Sequence, residues 1–143
     1  MRRTKLSAAI GMAILVLAFT CSAMAADAEK ETAAVAAAKT WLAIIDSGQY
    51  GDSWEIAAAY FKGAITKEKW QQTLTAVRKP LGKLVSRELS SKTYMQSLPG
   101  APDGEYVVIQ FATSFENKKS ATETVTPMLD SDGIWRVSGY YIK

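Results

Sequence analysis

Between Glu105 and Ile142 the side chains alternate in character, and this limits the fold more than any other feature of the chain. The odd positions are Val107, Ile109, Phe111, Thr113 and Phe115, then Ala121, Glu123, Val125, Pro127 and Leu129, then Trp135, Val137, Gly139 and Tyr141. The even positions include Gln110, Ser114, Ser120, Thr122, Thr124, Thr126, Arg136 and Ser138. A strand sends successive side chains to opposite faces. The stretch therefore reads as three antiparallel strands with one apolar and one mostly polar face. Glu116–Lys119 and Asp130–Gly133 are the expected turns. Odd residues are expected to face a cover and even residues to face out, so Thr124 is expected at the surface. Such a sheet needs a second layer on its apolar side, and that layer must come from upstream.

The first 25 residues are expected to leave. Arg2, Arg3 and Lys5 form a charged start, Ala8–Phe19 is a twelve-residue apolar run, and Ala23-Met24-Ala25 matches a small-x-small cleavage site. This is the pattern of a secretory signal peptide cut before Ala26. The apolar run is short for a membrane span, and the residues before Cys21 fit a lipoprotein box poorly. Residues 1–25 are thus expected to be a leader and residues 26–143 a single domain, periplasmic or secreted, with no membrane anchor after processing.

Removing the leader changes the chemistry available. The chain has one cysteine, Cys21, which goes with the leader, and no histidine. Disulfides, thiol catalysis, Ser-His-Asp chemistry and ordinary zinc sites are excluded for residues 26–143. No cofactor or metal is expected. Of seventeen basic residues three lie in the leader, which leaves fourteen against fourteen acidic ones. A balance near zero gives no case for nucleic-acid binding.

The cover is helical. Val35, Ala38, Leu42 and Ile45, flanked by Ala34, Ala37, Trp41 and Ile44, predict an amphipathic helix over Ala33–Asp46, ended by Ser47-Gly48. Ala26–Thr32 reads as a frayed start. A second helix is expected over Asp52–Phe61, stopped by Gly63. A third is expected over Lys67–Arg78, capped by Thr66, with Trp70, Leu74 and Val77 inward and Pro80 closing it. Leu84–Met95 reads as a first strand with Val85, Arg87 and Leu89 on one face. Ser97–Gly104 holds two prolines and two glycines and is either a connector or a lid. Pro127 cannot donate to a ladder and marks an edge, a bulge or a break. Trp41, Trp54, Trp70 and Trp135 are either all core or partly the lining of a cavity.

Helices followed by an antiparallel sheet make an α+β chain, with N-terminal helices packed on a curved sheet. That arrangement resembles the cone-shaped fold of the nuclear-transport-factor-2-like superfamily, related in outline to cystatins. Trp41-Leu42, Asp46–Trp54, Arg78-Lys79-Pro80-Leu81-Gly82, Leu98–Tyr106, Glu123-Thr124-Val125 and Gly133–Tyr141 carry a narrower likeness. On these residues the chain resembles an exported bacterial family known as domain of unknown function 4019. The resemblance implies an exported single domain and carries over no catalytic residues.

Chemistry can be sought in three places. Glu123 is a carboxylate on an otherwise apolar face, and a buried charge is costly unless paired. Either Arg87 neutralises it, or it lies at a rim, or it forms with Arg87 and Tyr141 the polar end of a ligand pocket walled by Trp54 and Trp135. In the last case burial could make it a base, as in lyases or isomerases of the cone fold. Lys62–Lys92 carries eight basic residues against Glu68 and Glu88, which is either a solvated face or a contact for an anionic partner. The even-side set Tyr106, Val108, Met128, Ile134, Tyr140 and Ile142 could pair two copies as a homodimer. The leading expectation is a non-enzymatic module that binds a small molecule or a protein. A small lyase or isomerase and a structural or inhibitory partner protein are the alternatives.

Overall fold

The structure, a computed structural model, describes the backbone of residues 11–143 and the side chains of residues 21–143. Arg2, Arg3, Lys5 and the whole apolar run of the expected leader lie outside the described side chains. Four helices, α1 (Gly11–Asp46), α2 (Tyr50–Glu55), α3 (Ala59–Ala64) and α4 (Lys67–Leu81), precede four strands. These are β1 (Leu84–Met95), β2 (Tyr106–Phe115), β3 (Lys118–Leu129) and β4 (Trp135–Ile142). The strands form one open antiparallel sheet in the order β1-β2-β3-β4. The helices cover one face of it, so the class is α+β.

Helix α1 buries Ala34, Ala38, Trp41, Leu42 and Ile45 at helical spacing and lies across all four strands. It starts earlier than the sequence suggests: Ala26–Thr32 is helical, not frayed. Lys30 pairs with Glu105 at 2.6 Å and contacts the Tyr94 hydroxyl at 3.2 Å, which fastens that turn to the sheet. Gly48, at a φ of +79°, turns the chain out of the helix.

The expected second helix, Asp52–Phe61, is two short helices. Ala58 leaves helical geometry at a ψ of 150°, and its N–H donates to Val137 O of β4 at 2.8 Å. Alanine favours helix, so a tertiary hydrogen bond overrides propensity here. Helix α4 starts at the expected cap, where Thr66 Oγ1 accepts from Lys69 N at 3.2 Å. It then continues through Pro80 to Leu81. A proline there gives up the bond to Ala76 O, and Asn117 caps the helix end by donating to Pro80 O and Leu81 O, both at 3.0 Å. The inward stripe is Trp70, Leu74 and Arg78, whereas Val77 is exposed.

Strands β2 and β3 keep the expected parity. Val107, Ile109, Phe111, Thr113 and Phe115 are buried, as are Ala121, Glu123, Val125 and Pro127. Strand β4 does not keep it. Thr126 pairs with Gly139 but Pro127 pairs with Val137, so Ser138 is an extra residue. Beyond this bulge the faces exchange. Tyr140, opposite Val125, and Ile142, opposite Glu123, point inward, while Tyr141 is outward and 50% exposed. The even-side apolar set is therefore not one surface. Tyr106, also of that set, is buried, and its hydroxyl donates to Pro102 O at 2.5 Å. The Ser97–Gly104 loop thus covers Tyr106 on the outer face, and Tyr60 holds it through Gly100 O at 3.1 Å.

Strand β1 has the expected limits and two bulges, at Val85 and Ser90. Arg87 and Leu89 share the inner face with Thr113 and Phe111. Past Ser90 the inner positions become Lys92 and Tyr94. Val85, expected to share the face of Arg87 and Leu89, is an exposed extra residue. Thr124, expected at the surface, is buried between Gln110 and Tyr141, and its Oγ1 has no partner.

Candidate functional site

Glu123 sits at the centre of the sheet's inner face and is 0% exposed. The parity of β3 puts it there, and its neighbours determine what it can do. Arg87 of β1 donates from Nε to Oε1 at 2.6 Å and from Nη2 to Oε2 at 3.2 Å. Thr113 of β2 donates to Oε1 at 2.6 Å. The Tyr140 hydroxyl of β4 donates to Oε2. A carboxylate offers about four acceptor directions, and all are taken. No lone pair is left to take a proton from a substrate.

The network continues into the helices. Arg87 also donates from Nη1 to Asp46 Oδ2 at 2.7 Å and from Nη2 to Asp46 Oδ1 at 3.0 Å. Arg78 of α4 donates from Nη2 to Asp46 Oδ1 at 2.9 Å. Two carboxylates and two guanidiniums thus tie α1 and α4 to β1 and β3. Burial works against the charged form of Arg87, but Asp46 and Glu123 outweigh it and raise its pKa. Burial likewise pushes the Asp46 carboxyl up, and Arg87 with Arg78 brings it below its ordinary value. Burial, followed by the Glu123 charge, raises the Tyr140 hydroxyl far above the usual tyrosine range. Tyr140 therefore stays a hydrogen-bond donor at physiological pH.

The space between helices and sheet is filled. Trp41 packs on Trp70 with centroids 5.9 Å apart and edge-on to Tyr140 at 5.3 Å. Phe61 meets Trp70 edge-on at 4.8 Å. The polar ends of three tryptophans are satisfied within the helices. Trp41 Nε1 donates to Ser53 O at 2.8 Å, Trp70 Nε1 to Ser53 Oγ at 2.9 Å, and Trp54 Nε1 to Ile65 O at 2.8 Å.

Open space lies at the ends of this core. One groove of about 340 Å³ runs between α1 and β4, walled by Ala37, Trp41, Ile56, Ile134, Trp135 and Val137. Ile56 is 44% and Ile134 52% exposed at its mouth. A second cleft, of about 450 Å³, opens where α1 and α4 end, beside Asp46 and Arg78. Among the described residues no three His, Cys, Asp or Glu side chains converge as a metal site, and no helix is long and apolar enough to cross a membrane.

The residues singled out from sequence divide accordingly. Glu123 and Arg87 come together, and Arg87 is the neutralising partner. Tyr141 does not join them, because the Ser138 bulge brings Tyr140 in instead. Trp135 reaches the α1–β4 groove, whereas Trp54 packs against the core under Lys62, whose Nζ lies 5.7 Å from its ring centroid. The basic segment is not one solvated face: Arg78 is buried, Arg87 largely so, and Lys67 pairs with Glu55 at 2.7 Å. Sequence reasoning missed Asp46, Arg78 and Tyr140. Pro127 carried a signal for the last of these, since the bulge that turns Tyr140 inward lies directly across from it.

Residues 37–140 match the model of a family described as protein of unknown function, DUF4019. No curated protein and no solved structure matches the chain.

Proposed function

Because the chain belongs to the DUF4019 family, whose description names no activity, we propose from its geometry that it is an exported, non-catalytic binding module. The ligand-binding element is the groove between α1 and β4. One observation carries this reading: Ile56 and Ile134 stand 44% and 52% exposed beside Trp41 and Trp135, whereas the space between helices and sheet is packed. A concave apolar wall with a few polar groups at its edge suits a branched aliphatic or aromatic group. That group belongs either to a small molecule or to a partner's side chain. Arg136 stands at the edge, held by Asp130 and Asp132 at 3.0 and 2.8 Å. The saturation of Glu123 favours binding over proton transfer. The resemblance to cone-shaped folds fits the same reading, and the leader-like pattern of residues 1–25 supports export to the periplasm.

The test is the native and denatured mass of protein recovered from the periplasm after expression with its own leader. The expected denatured mass starts at Ala26. The expected native mass carries a non-covalent addition that Ile134→Asp removes. Identical native and denatured masses for the wild type, or an addition that Ile134→Asp retains, refute the groove. An intact Met1 or a lipid on Cys21 refutes the export route.

A further inference from the structure

The buried network is closed at Glu123 and open at its other end. Asp46, Arg78, Lys79, Lys83 and Glu116 line the 450 Å³ cleft, where the β2–β3 turn folds against the end of α4. Gly82 makes that approach possible, because a Cβ there would stand 3.0 Å from Glu116 Cβ. Arg78 is 5% exposed, and of its guanidinium nitrogens Nη2 alone has a partner, Asp46. Nε and Nη1 are buried with none. Its Cζ lies over Phe115, 4.9 Å from the ring centroid, so Phe115 closes one side of the group.

Buried donors without acceptors are costly, and an apolar side chain would fill the same space without that cost. The charges here are also out of balance. Arg78, Arg87, Lys79 and Lys83 face Asp46, Glu123 and Glu116, an excess of one positive charge. The C-terminal ends of α1 and α4 work against an anion, and Arg78 and Lys79 in the last turn of α4 offset them. We propose that this cleft is an anion site for a compact oxyanion, a phosphate or a small carboxylate. Arg78 Nη1 forms its floor, beside the Nη2 that Asp46 holds, and Lys79 and Lys83 form its rim. Neighbouring atoms cover Nη1, so the anion reaches it by displacing a rim side chain. Planar, charge-assisted contact with an oxyanion is what a guanidinium edge provides best.

The experiment is a titration of the ¹⁵N-labelled protein with inorganic phosphate, and separately with acetate, at constant ionic strength. The arginine Nε–H resonances are followed, assigned through bonds from the backbone. Expected is a saturable shift at Arg78 while Arg87, bonded to Glu123, stays fixed. The Lys79→Ala, Lys83→Ala double variant should bind about tenfold more weakly, the size of one charge-assisted contact. An unmoved Arg87 resonance in that variant shows that the fold is intact. A response to phosphate alone or to acetate alone selects the ligand between the two. No saturable shift with either anion overturns the proposal, as does a shift that the double variant leaves unchanged. The groove at Ile134 lies elsewhere on the fold, so either reading can fail without the other.

Discussion

Replacing Glu123 by Gln keeps the shape of the side chain and changes its hydrogen-bonding sense. One oxygen that accepts becomes an NH₂ group that donates. If it is Oε1, it faces Arg87 Nε and Thr113 Oγ1; if Oε2, it faces Arg87 Nη2 and the Tyr140 hydroxyl. Either way Arg87, which can only donate, confronts a donor in a site that is 0% exposed, while the hydroxyl can turn to accept, and Arg87 loses half of its compensating charge. Breaking a buried pair typically destabilises by about 3–5 kcal/mol. Because Asp46 still holds Arg87 through two contacts at 2.7 and 3.0 Å, the expected loss is near the lower end, about 3 kcal/mol. Urea melts of Glu123→Gln, Arg87→Met and the double variant form the test cycle. The expected coupling exceeds about 1 kcal/mol, because the two side chains share two hydrogen bonds. The m-values should stay unchanged, so that midpoints report stability alone. A Glu123→Gln protein as stable as the wild type, with no coupling to Arg87→Met, would refute the saturated-pair account and return Glu123 to the role of a pocket group.

Tyr140→Phe removes a hydrogen bond to a buried carboxylate and should cost about 1.5–3 kcal/mol, while Tyr141→Phe should be silent; equal effects in urea would contradict the bulge at Ser138. Thr124→Val removes a buried hydroxyl that has no partner and should be neutral or stabilising in thermal melts; a loss above about 1 kcal/mol would mean that Oγ1 is bonded. Phe111→Ala, at a site 1% exposed, should cost about 3–5 kcal/mol in the same melts. The folded-state pKa of Asp46 is depressed below its ordinary 3.8, so its contribution is complete above that value and is lost as pH falls through the lower folded value. The urea midpoint should therefore drop below about pH 4, and Asp46→Asn should flatten the drop; a wild-type midpoint constant down to about pH 2 would rule this out.

How far the fold could be read depends on where its periodicity is interrupted. Strand β2, and β3 from Ala121 to Pro127, alternate without interruption along their inner faces, so the burial of Phe111 and Glu123 followed from spacing alone. In β4 one extra residue, Ser138, inverts everything after it, and Tyr141 was assigned the place that Tyr140 holds. Serine is an ordinary strand-face residue, and the disturbance showed only as Pro127 on the neighbouring strand. Arg78 was legible in principle, because it stands four residues after Leu74 and eight after Trp70. Choosing Val77 for the stripe followed hydrophobicity, and the buried network reversed that choice. Asp46 gave no local signal. It ends a helix, and its value comes from two arginines that are 32 and 41 residues away. The division of the second helix depended on Val137, far along the chain, and local propensity argues against it.

The two bulges of β1 bear on how the protein behaves when crowded. A twelve-residue strand at the margin of an open sheet is a template on which another chain could lay a strand and begin a fibril. Such growth needs an unbroken repeat of backbone donors and acceptors over several residues. On β1 the repeat is broken at Val85 and again at Ser90, and Lys92 adds charge beyond the second break. No run between the interruptions is as long as the strands inside the sheet. At the opposite margin, Ala58 already occupies Val137 O. Both borders are thereby poor seeds for strand-by-strand assembly, so the sheet can stay open without inviting its own copies to extend it.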